Sequence, residues 1–206
     1  MDQFDCTKSY RELLRDRVGP VLRSAGWKGT APTWTITNPA GNRAVVNFQG
    51  NKYSRREQAR FFINLRIQPK VWVEYWKAIY PDQQLTTKSG LWFERMDPPG
   101  ANEWNFTTAA EAEECFDHIV ARLNGEALPT MQELLDNERL IALLTSRSAT
   151  HPGVAVLLTE NGPSKELTAL CRALQQPAED QLRRRYRDQA LDWIETKLGP
   201  IETWAL

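Results

Sequence analysis

The stretch Phe61-Phe62-Ile63-Asn64-Leu65-Arg66-Ile67-Gln68 constrains this chain more than any other part of it. From Ile63 onward its side chains alternate between apolar and polar, and a period of two is that of a β-strand with one buried face. Ile63, Leu65 and Ile67 point to one side, Asn64, Arg66 and Gln68 to the other, and Pro69 closes the strand. Such a strand needs partners for its backbone and cover for its apolar face, so the rest of the chain must supply both.

Partners are at hand. Residues 33–37 and 43–49 are rich in β-branched and aromatic side chains and flank the turn Asn38-Pro39-Ala40-Gly41-Asn42, which reads as a hairpin. Residues 91–95 and 103–106 read as further short strands on either side of Pro98-Pro99-Gly100. The expected sheet is antiparallel, with about five strands.

Cover comes from two amphipathic helices. The first is expected from about Thr7, with Thr7 or Ser9 as cap, Tyr10, Leu13, Leu14, Val21 and Leu22 on its apolar side, and a bend at Gly19-Pro20. The second is expected from Thr107 or Thr108, with Glu111 completing a capping box, an apolar stripe from Ala112 through Cys115, Phe116, Ile119 and Val120 to Leu123, and a stop at Gly125. Residues 71–80, with Trp72, Tyr75, Trp76 and Tyr80, fit a short helix over a sheet edge without excluding a strand. Beyond Leu128 the pattern gives helices at 130–136, 138–144, 163–174 and 178–198, while 154–158 is too short to assign.

The expected class is therefore α+β: an antiparallel sheet covered on one face by two amphipathic helices and followed by an α-helical tail. The expected division is 1–128 for the α+β domain and 129–206 for the helical extension, packed on it.

Composition excludes several function classes. With 41% apolar and 25% charged residues, the chain is a folding sequence and not a disordered one. No apolar run approaches the roughly 18 residues of a membrane span, and the acidic start lacks the order of a signal peptide, so a cytoplasmic protein is expected. Three dispersed cysteines, Cys6, Cys115 and Cys171, offer neither a disulfide framework nor a metal knuckle. His118 and His151 are the two histidines, with no nucleophile motif near either, and no phosphate loop or zinc motif occurs. The sequence therefore names no catalytic residue, metal site or cofactor, and it leans toward a non-enzyme without deciding the point.

What remains is a surface. By alternation Thr35, Thr37, Asn47, Gln49, Asn64, Arg66 and Gln68 all point away from the helices, and carboxamides beside a guanidinium suit carboxylate, phosphate or peptide groups. Next to it lies a basic loop carrying Lys52, Arg55 and Arg56. Residues 1–95 carry 16 Lys and Arg against 8 Asp and Glu, whereas the whole chain is neutral. Such asymmetry fits an acidic partner or two parts with complementary fields. A second basic cluster, Arg183-Arg184-Arg185 with Arg187, has Glu179, Asp180, Asp188 and Asp192 around it and reads as a solvated helix face.

The segments Leu-Arg-Ser-Ala-Gly-Trp-Lys-Gly at 22–29, Val-Asn-Phe-Gln at 46–49, Arg-Phe-Phe-Ile-Asn-Leu at 60–65, and the late Trp-Asn-Phe before a Thr-started helix resemble the domain of unknown function 4304 family over residues 7–136. The resemblance implies a bacterial α+β domain and brings no activity or catalytic residue with it. Two functional expectations follow. The first is a module that binds a protein partner through Asn47, Gln49, Asn64, Arg66, Gln68, Lys52, Arg55 and Arg56, as an accessory or immunity factor in a bacterial conflict system. The second is a nucleic-acid or nucleotide-binding protein, with phosphodiester processing as its enzymatic form and the same cations on phosphates.

Overall fold

Asp5 starts the first helix. Its carboxylate accepts hydrogen bonds from the Lys8 N–H at 3.0 Å and the Thr7 hydroxyl at 2.8 Å, so the cap lies just before the positions expected for it. In this computed structural model, which describes residues 4–83, 89–176 and 181–204, helix α1 (Cys6–Leu13) passes through one π-helical turn (Leu14–Val18) into α2 (Gly19–Ser24). Pro20 has no N–H and crowds the preceding turn. The wider turn absorbs this: the Gly19 N–H reaches back to the Leu14 carbonyl, and Gly19 stays helical.

The second amphipathic helix repeats the device. Helix α3 (Lys70–Ile79) lies between the strands in sequence; α4 (Ala109–Arg122) then follows them and runs through a π turn (Leu123–Ala127) into α5 (Leu128–Glu133). The Leu128 N–H bonds the Leu123 carbonyl just before Pro129. Gly125, expected to stop the helix, sits inside that turn without the positive φ that a glycine stop uses. Thr108 caps α4 by accepting from the Glu111 N–H at 3.2 Å, while the Glu111 carboxylate turns to the Thr107 N–H and hydroxyl, at 2.7 and 2.8 Å, one residue earlier than a capping box requires.

Among the described residues the sheet has six strands: β1 (Lys28–Thr30), β2 (Thr33–Thr37), β3 (Arg43–Gly50), β4 (Ala59–Gln68), β5 (Trp92–Arg95) and β6 (Trp104–Phe106). Strand β1, short and fully exposed, carries no alternation to betray it. The order is β1-β2-β3-β4-β5, and β6 pairs with β4 beside β5 on the same edge. Phe48, Phe61 and Phe106 from the sheet meet Tyr10 of α1 and Phe116 of α4, with Phe61 4.7 Å from Tyr10 and 6.0 Å from Phe116 between ring centres. The π turn after α1 also presents Arg17 to Glu113 at 2.5 Å and to Asp117, tying it to α4.

The chain divides into two compact units, residues 1–67 with 92–135 and residues 68–91 with 136–206. The first holds the sheet as far as Ile67 and its covering helices. The second groups α3 with α6 (Asn137–Arg147), α7 (Pro152–Leu158), α8 (Lys165–Gln175) and α9 (Gln181–Leu198). Residues 71–79 are thus helical, and Tyr75 meets Trp193 of α9 edge-on at 5.6 Å. Residues 154–158 belong to α7, whose first residue is proline, a favourable first position. The helix expected from residue 178 is present over Gln181–Leu198, and residues 178–180, with Glu179 and Asp180, lie outside the described residues.

His151 caps α7, its Nδ1 accepting from the Gly153 N–H at 3.1 Å. Burial pushes its pKa below the ordinary 6.5, since the cationic form is both desolvated and unable to accept that bond. A histidine lowered on folding contributes stability that is complete above the unfolded pKa and is lost as pH falls below it. The unfolding midpoint in urea is expected to drop between pH 7.5 and 5.5, each about one unit from that pKa. His151→Asn, which keeps an acceptor without titrating, should show a smaller drop; an equal drop would exclude this role.

Candidate functional site

Strand β4 is the spine of the polar face. Its register with β5 sets Asn64 opposite Arg95 and Arg66 opposite Phe93, and residues paired across an antiparallel sheet share a face. From β3, Asn47 and Gln49 accept hydrogen bonds from the Asn64 amide at 3.4 and 3.2 Å, and the Asn47 amide donates to the Thr33 hydroxyl at 2.8 Å. Three carboxamides thereby form one cluster at the centre of the face, with Asn64 only 2% exposed.

Two arginines flank the cluster, each laid on a phenylalanine. The Arg66 guanidinium carbon is 4.1 Å from the Phe93 ring centre, and that of Arg95 is 4.2 Å from Phe62. Such stacking holds a cation in place while leaving its N–H edge directed elsewhere. Arg66 is 9% exposed, and its Nε is buried without a hydrogen-bond partner. Burial, and then the neighbouring Arg95 charge, push its pKa down, the direction expected for a cation that its surroundings disfavour. Among the described residues neither guanidinium has a carboxylate partner. Arg60, farther along β4, is different: its Nε donates to Glu103 at 2.5 Å, and Asn51 donates to the same carboxylate at 2.7 Å.

The structure thus brings Asn47, Gln49, Asn64 and Arg66 together. Gln68, the last residue of β4, is fully buried and is grouped with the second unit. The basic loop does not converge on the face as a set. Arg56 pairs with Asp5 at 3.5 Å, and its carbonyl accepts from the Cys6 N–H at 2.8 Å, so it fixes the hairpin to the start of α1. Arg55 exchanges backbone bonds with Gln58 and exposes its side chain, and Lys52 lies over its neighbour Tyr53 at 4.9 Å. Sequence reasoning missed Phe62, Phe93 and Arg95. Alternation within 91–95 puts Phe93 and Arg95 on one face, but only the register with β4 places them beside Arg66.

Concave places elsewhere also carry titratable groups. In the first unit a groove of about 500 Å³ beside β6 is lined by Pro98, Glu103, Trp104, Cys115 and His118. Burial pushes the Cys115 thiol up to about 12, which keeps it protonated and a poor nucleophile at neutral pH. In the second unit a cavity of about 490 Å³ is lined by Arg147, His151, Arg183, Tyr186 and Arg187, and Arg187 donates to the Gln176 carbonyl at 3.1 Å. Among the described residues no three metal-binding side chains cluster, and no helix is long and apolar enough to cross a membrane.

No curated protein and no solved structure matches the chain. A family model does match, over residues 18–133, a span that takes in every strand of the sheet and every member of the carboxamide and arginine cluster. With more than half of its length matched, the chain belongs to the family described as Domain of unknown function (DUF4304).

Proposed function

We propose that this chain is a non-enzymatic interaction module that binds a protein partner through the polar face of its sheet. The observation that carries the reading is a face of carboxamides and two stacked arginines with no carboxylate paired to either guanidinium among the described residues. Such groups recognise; they contain neither nucleophile nor general base. A protein suits the face better than a nucleic acid, which needs a track of free cations at phosphate spacing. Here Arg56 and Arg60 are already paired with Asp5 and Glu103. Phe62 and Phe93 each have a guanidinium over the ring, where a base would otherwise stack.

The test is capture from a bacterial lysate on immobilised chain. The same protein should be retained by the wild type and by the control Lys165→Glu on α8, and Arg95→Glu should reduce its retention about tenfold or more. Recovery of nucleic acid alone, or retention unchanged in both Arg95→Glu and Gln49→Ala, would overturn the reading. Exposed Lys52, Arg55 and Tyr53 are what would favour the nucleic-acid outcome. The identity of a captured protein then decides whether the chain serves as an accessory or immunity factor in a conflict system.

A further inference from the structure

We infer that Arg66 and Arg95 form an anion subsite that takes a carboxylate from an acidic segment of the protein partner; the inference rests on the reading above and names the group recognised. Arg66 is nine-tenths buried with its Nε–H unpaired. A buried donor without an acceptor lowers stability, and a buried cation without a counter-charge lowers it further. Arg95 adds to the positive field instead of relieving it. In the free chain the arrangement is unfavourable, and an anion arriving at the exposed Arg95 side supplies the counter-charge that both guanidiniums lack.

The geometry is ready for that anion. Phe93 and Phe62 each carry one guanidinium over the ring, so an arriving carboxylate need not order two long side chains. Partial burial keeps solvent screening low at Arg66, where the attraction is then strongest. Beside the cations stand uncharged carboxamides: Asn64 donates to Asn47 and Gln49, and Gln49 is exposed. One concentrated charge site next to neutral donors and acceptors matches an acidic side chain on a peptide, whose backbone amides need neutral partners. A phosphodiester would present a further charge at each nucleotide, and the next cation along β4, Arg60, is already engaged by Glu103.

The test follows the arginine Nε–H resonances of the whole chain in nitrogen-15 spectra at low salt, with poly-L-glutamate and, separately, a thymidine oligonucleotide as probes. Poly-L-glutamate should shift the Arg66 Nε–H signal, and affinity should fall about tenfold in Arg95→Gln and further in Arg66→Met. Arg95 is exposed, so its variant keeps the fold and the test does not depend on replacing a buried residue. An unmoved Arg66 signal, or a shift produced by the oligonucleotide and not by poly-L-glutamate, would overturn the assignment. The two proposals separate cleanly. Partner capture that survives both arginine neutralisations but is lost in Gln49→Ala removes the anion subsite and leaves the module; a poly-L-glutamate shift without any captured protein does the reverse.

Discussion

Replacing Phe61 with alanine is expected to lower the unfolding free energy by about 3–5 kcal/mol, the usual loss for a fully buried aromatic ring. Phe61 has no exposed surface and sits where sheet and helices meet, with Tyr10, Phe48, Phe106 and Phe116 all within 6.5 Å between ring centres. Removing it deletes the transferred area and leaves a space that five elements would have to close together. Rigid β4 pairs on both edges, so the collapse is partial and the cost stays high. A domain of this size holds a margin of about 5–15 kcal/mol, so the variant should still fold but at a much lower urea midpoint. A loss below about 1 kcal/mol would mean that the cluster is not the centre of the first unit.

The second large effect runs the other way. Arg66→Met is expected to raise stability by about 1–3 kcal/mol, because it replaces an unpaired buried guanidinium by a shorter, flexible apolar chain. Methionine can keep a contact with the Phe93 ring through its sulfur, and the repulsion from Arg95 disappears. A residue retained for packing would behave in the opposite sense. Gain of stability with loss of binding is the signature of a group kept for its ligand.

The alternation in β4 made the strand, its two faces and the candidate side chains Asn64 and Arg66 readable from the sequence, because period two ties direction to position. The helices were readable for the same reason, through the stripe from Ala112 to Leu123. Their interruptions were not. A glycine and a proline near a helix end suggest a stop or a kink, whereas a π turn lets both helices continue past Pro20 and Pro129, a choice made by the packing that the continued helix gains. Strand β1 escaped because three exposed residues have no pattern. Arg95 and its ring partners escaped because register is a property of two strands, and neither sequence states it alone. The grouping of residues 68–91 with the helical tail likewise depends on contacts far apart in the chain.

The most direct test of the account is thermal unfolding of the wild type and Arg66→Met side by side, each with and without poly-L-glutamate. A ligand that binds only the folded state raises its melting temperature. Arg66→Met should melt above the wild type without the polymer and gain far less from it than the wild type does. A variant that melts below the wild type, or that responds to the polymer equally, would contradict the claim that Arg66 is held on the sheet to receive an acidic partner.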